Sequence, residues 1–106
     1  MNIFNNLKAA RAFQKGSLKF LETMEDQDIV LEIGYHEELG APLTVKQLTL
    51  IGIGSQATVH RRQMRLRRLG VIRQTVSRTD GRVVVLRLPP AIHRTYCTLL
   101  KILRAK

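Results

Sequence analysis

Nine arginines stand between Arg61 and Arg87, and they are the residues of this chain best suited to chemistry with a partner. A guanidinium is planar and permanently charged, and its fork of N–H donors fits phosphate oxygens and guanine edges better than a lysine point charge does. The charge is also unevenly placed. Residues 1–54 hold five cations against seven acids, a net −2, whereas residues 55–106 hold thirteen cations against Asp80 alone, a net +12. Solvated faces normally mix signs, so a one-sided block of this size implies a polyanion, with double-stranded nucleic acid the leading candidate.

Other chemistries find little support in the residues. His36, His60 and His93 lack metal-ligand spacing, and the acids from Glu22 to Glu38 read as a helix face without a paired base or nucleophile. No metal, cofactor or enzymatic role is expected. Gly52-Ile-Gly54 reads as a turn rather than a phosphate loop. Cys97, the single cysteine, has Arg94 and Lys101 at helical spacing that can lower its thiol pKa, but burial in a helix interface is the stronger expectation. The 106 residues are 44% hydrophobic, which suits one domain with its own core rather than a disordered tail. No apolar run approaches the ~20 residues needed to cross a bilayer. Met1–Lys8 does not read as a secretory leader, so the cytoplasm is the expected compartment.

The arginines need an element to aim them. At 100° per residue, a helix over 55–69 groups Val59, Leu66 and Leu69 on a core side and turns Ala57, Arg61, Met64, Arg65 and Arg68 away. Such a face fits the major groove, about 12 Å wide. Gln56, His60 and Arg61 are then the candidates for base edges, and Ser55, Thr58, Arg65 and Arg68 for the phosphate backbone. Upstream, Thr44-Val-Lys-Gln47 has the form of a capping box opening a short helix to about Leu50, which adds Thr44 to the candidate contacts. Gly52 and Gly54 permit a sharp turn, Ser55 can cap the long helix, and Gly70 can end it. Helix, glycine turn, helix is the helix-turn-helix outline.

Downstream, residues 71–76 and 82–88 are rich in β-branched side chains and joined across Ser77-Arg-Thr-Asp-Gly81, which predicts a hairpin with a basic tip. Upstream, the spacing predicts a helix over 2–13, a break at Gly16-Ser17, a short helix through Leu18, Leu21 and Met24, and an acidic amphipathic helix from Glu25 to about Glu38. Pro89-Pro90 begins a last helix with the stripe Ile92, Tyr96, Leu99, Leu100 and Leu103. The fold class is mainly α with a small β-hairpin wing. Residues 25–88 form its core, and 1–24 and 90–106 are expected to be dimerisation elements, with that stripe at the contact.

Over roughly residues 25–88 the order resembles the winged helix-turn-helix of the MarR family of bacterial transcription regulators. The resemblance lies in Pro42-Leu-Thr-Val-Lys-Gln-Leu48, Ser55-Gln-Ala-Thr-Val-His-Arg-Arg62, Arg67-Arg-Leu-Gly-Val-Ile-Arg73 and Asp80-Gly-Arg82. It implies a homodimeric, sequence-specific DNA-binding regulator with helix 55–69 in the major groove and wing 77–82 in the minor groove. It further implies that Asp80 braces the wing while Arg82, with Arg78 nearby, contacts DNA; any small-molecule effector is left undefined. The chain is short for that family, Gln63 stands where an apolar residue is expected, and Arg62 flanks the core face. Two other uses of a winged helix remain open: a protein-interaction module, and a replication-origin binder of a plasmid or phage.

Overall fold

A computed structural model describes residues 2–77 and 81–106. Its elements run α1 (Ile3–Ser17), α2 (Met24–Glu38), α3 (Val45–Leu50), α4 (Gln56–Arg68), β1 (Arg73–Val76), β2 (Val84–Arg87) and α5 (Pro90–Leu103). Arg78 and Asp80 lie outside the described residues. The chain divides into a central unit, Glu22–Pro89, and a terminal unit in which the residues up to Leu21 join Pro90–Lys106.

The central unit is a winged helix. Its core gathers Ile29, Val30 and Ile33 of α2, Leu48 of α3, Val59 and Leu66 of α4, and Val85 and Leu86 of β2, all buried. The hairpin is antiparallel, with Arg73 opposite Arg87 and Val76 opposite Val84. The Leu86 N–H donates to the Leu43 carbonyl at 2.7 Å, which ties the segment before α3 to the outer strand. Glu37 of α2 accepts from the Leu88 N–H at 3.0 Å and holds the exit of β2 in turn. Gly70, at φ +77°, closes α4: its N–H donates to Arg67 and that of Val71 to Leu66, a pairing that requires the left-handed residue supplied here without a Cβ penalty.

In the terminal unit, α1 packs on α5 around Ala10, Leu18 and Leu99, with Phe13, Phe20, Leu21, Tyr96 and Ile102 partly buried beside them. Burial pushes the Tyr96 hydroxyl up to about 12, so it stays neutral at physiological pH. Asn6 Nδ2 donates to the carbonyls of Leu103 and Ala105, satisfying two acceptors left open at the end of α5.

Three expectations need correction. Helix α1 runs through Gly16 to Ser17 and there is no short helix over 18–24; the chain turns at Leu18, and α2 starts at Met24. A glycine one residue from a helix end costs only ~1 kcal/mol against alanine, which packing of Phe13 and Leu18 outweighs. The stripe on α5 is not one face: Ile92 and Leu99 are buried in the chain itself, and only Leu100 and Leu103 are exposed. Cys97 is exposed rather than buried.

Candidate nucleic-acid interface

The turn before α4 is built from local hydrogen bonds. Thr44 Oγ1 accepts from the Gln47 N–H at 3.1 Å while Gln47 Oε1 accepts from the Thr44 N–H at 2.9 Å, so α3 begins with a complete capping box. Gly52, at φ +99°, turns the chain between the two helices. Ser55 Oγ then accepts from the Thr58 N–H at 3.1 Å and donates to Thr58 Oγ1 at 2.9 Å, capping α4. Thr44 thus fixes where α3 starts, and Ser55 with Thr58 fixes where α4 starts.

Helix α4 has three kinds of face. Val59, Gln63 and Leu66 are buried. Gln56, Ala57, His60, Arg61, Met64 and Arg68 are exposed. Leu69, expected in the core, is 53% exposed because it is already the C-cap and the chain turns away at Gly70. Among the described residues no salt bridge involves Arg61 or Arg68.

The third face is a seam with α2, where the sequence reading of unpaired acids is overturned. Asp26 is fully buried and receives Arg62 in bidentate fashion, through Nε at 2.8 Å and through Nη2. Its carboxylate also accepts from the N–H groups of Glu22 at 2.8 Å and Thr23 at 3.3 Å, completing the cap of α2. Burial alone would raise the Asp26 pKa, but Arg62 and these backbone donors more than offset it and hold the group below its ordinary 3.8. The same contact with Asp26 pushes the Arg62 guanidinium still higher. Glu22 adds a second carboxylate, 3.2 Å from Arg62 Nη2 and 3.3 Å from Arg65 Nη2. Elsewhere Glu37 lies 3.8 Å from Arg87 and Glu32 lies 3.4 Å from His36.

Of the sequence-derived contact residues, the structure gathers Gln56, His60, Arg61 and Arg68 on one exposed face and puts Thr44, Ser55 and Thr58 at the helix starts beside it. Arg65 sits at the seam, partly buried, and Arg82 is exposed where the chain re-enters the hairpin. Sequence reasoning missed Asp26 and its role. The signal was there in Thr23-Met-Glu-Asp26, which has capping-box form. Gln63, which the sequence placed at an apolar position, is buried there, with Nε2 3.4 Å from His60 Nδ1 and Oε1 without a partner among the described residues. Among the described residues no cluster of His, Cys, Asp or Glu is arranged to hold a metal, and no helix is long and apolar enough to cross a membrane.

Among solved structures, MarR matches 92% of this chain at 19% identity and a TM-score of 0.59, with 69% of MarR covered. The fold is the MarR winged helix. A mutant of MepR from S. aureus shares it at 16% identity and a TM-score of 0.61, over 93% of this chain and 71% of MepR. A probable transcriptional regulator from Pseudomonas aeruginosa does so at 18% identity and 0.53, over 93% and 76%. No protein-family model matches the sequence and no curated protein is similar to it.

Proposed function

We propose that this chain is a homodimeric transcription regulator that binds duplex DNA sequence-specifically, without catalysis, in a bacterial cytoplasm. Helix α4 enters the major groove, where Gln56, His60 and Arg61 meet base edges and Ser55, Thr58, Arg65 and Arg68 meet phosphates, with Thr44 beside them. The wing at 77–82 reaches the adjacent minor groove through Arg82 and Arg78, braced by Asp80. The observation that carries this reading is the exposed face of α4: Arg61 lies one turn from the small Ala57 and Arg68 two turns further along the same face, outside the ion pairs that engage Arg62 and Arg65. A helix presenting cations beside a small residue can approach the groove floor closely. That three of the similar structures are MarR, MepR and a probable transcriptional regulator supports the same direction. Dimerisation is supported by the exposed apolar Ile3, Phe4 and Leu7 of α1 and Leu100 and Leu103 of α5.

The test is a salt titration of binding to duplex DNA. A dimer neutralising ~6–10 phosphates is expected to lose ~10³–10⁵ in affinity between 50 and 200 mM salt. Absence of binding at 50 mM, or binding indifferent to salt, overturns the reading.

A further inference from the structure

We infer that Glu22 limits how readily the protein grips DNA indiscriminately, by holding Arg65 on a carboxylate that a phosphate has to displace. The inference rests on the DNA reading above and assigns Glu22 as a positioning residue for it. The two arginines at the α2–α4 seam are held differently. Arg62 places two donors on Asp26, which is fully buried, so taking Arg62 away would strand a carboxylate out of water. Arg65 instead meets Glu22 at 3.3 Å and lies 3.5 Å from Asp26 Oδ2, and the Glu22 side chain is 56% exposed. Contacts of that second kind are exchangeable, since an exposed ion pair changes an equilibrium by only about two- to fivefold.

Arg65 is also well placed for the exchange. It lies one helical turn from both Arg61 and Arg68, the exposed cations of the proposed groove-facing surface, so a guanidinium leaving Glu22 emerges alongside them. A phosphate pressed close by a fully docked helix can take it. A phosphate held loosely, as on DNA of the wrong sequence, competes with a carboxylate already in contact. Glu22 thereby subtracts one cation from non-specific binding while leaving it available to a well-fitted site.

The experiment measures affinity for a short random-sequence duplex as a function of salt, for the parent, Glu22→Gln, Glu38→Gln and Arg65→Gln, and for Glu22→Gln with Arg65→Gln. Glu38 is exposed at the far end of α2, so its variant carries the same charge change away from the seam. Glu22→Gln is expected to bind about two- to fivefold more tightly than Glu38→Gln, with a log–log salt slope steeper by about 0.9, the value of one further phosphate. That gain is expected to vanish when Arg65 is also Gln. Equal behaviour of Glu22→Gln and Glu38→Gln, or a gain that survives the loss of Arg65, overturns the inference while leaving the DNA reading intact. A parent that fails to bind the duplex at low salt overturns both.

Discussion

The central and terminal units are finished to different degrees. The largest fully buried side chains of the described chain, Ile29, Ile33, Leu48, Leu66, Leu86, Gln63, Val30, Val59 and Asp26, all lie in the central unit. The helix pair of the terminal unit has Ala10, Leu18 and Leu99 at its centre and leaves Phe4 83% exposed, with Ile3, Leu7, Leu100 and Leu103 exposed as well. A cleft of about 560 Å³ opens among Ile3, Asn6, Leu7 and Leu103. Both units leave apolar side chains exposed, Met24, Leu31, Leu39 and Leu50 among those of the central unit; the difference lies in the core, since among the described residues the central unit has side chains shut off from solvent completely and the terminal unit does not. In the proposed dimer the exposed residues of α1 and α5 form the contact.

Substitutions in the two units should therefore fail in different ways. The largest effect is expected from Asp26→Ala, which strands Arg62 beside a hole and should lower folding stability by ~3–5 kcal/mol in urea denaturation. Leu66→Ala should cost ~2–5 kcal/mol by the same measurement, whereas Leu103→Ala should stay within ~0.5 kcal/mol for the folded monomer. If the two leucines cost the same, the contrast between the units is wrong. Arg61→Ala should leave stability unchanged and weaken binding to a preferred site by ~1–3 kcal/mol, read by fluorescence anisotropy. Leu100→Glu with Leu103→Glu should keep the helical circular-dichroism spectrum but sediment as a monomer, and lose the preference for inverted-repeat DNA. The smallest effect is on acid stability. Asp26 titrates below its ordinary 3.8 when folded, so its contribution is intact above that pH and is lost as pH falls through the depressed value. The acid limb of the parent's stability curve should accordingly be steeper than that of Asp26→Ala.

What was legible in the sequence was mostly what is local. The Thr44–Gln47 box, the Ser55 cap and the Gly70 terminus each depend on residues within one helical turn, so their chemistry shows in the order of side chains. The hairpin was legible for the same reason, although its paired strands, 73–76 and 84–87, are shorter than the expected runs at 71–76 and 82–88. The seam was hidden because Asp26 and Arg62 are separated by 36 residues, and periodicity along one helix cannot show that a neighbouring helix supplies the missing partner. Arg62, read only as flanking the core face, serves the inside of the protein, while Arg61 faces solvent. The break expected at Gly16 failed where packing between distant segments, α1 against α5, overrode a local preference.

The clamp at Asp26 has a consequence for which amino acids the position accepts. An ionised carboxylate offers about four lone-pair sites and no hydrogen, and Asp26 meets four close donors, the N–H groups of Glu22 and Thr23 and the Nε and Nη2 of Arg62. Asparagine has the same shape but half the acceptor sites, and its amide would turn two hydrogens toward groups that can only donate. Glutamate keeps the acceptors but carries them one methylene further, past the start of α2. Neither the isostere nor the homologue fits, so the joint between the capped helix and the arginine helix is a place where the chain has a vocabulary of a single letter.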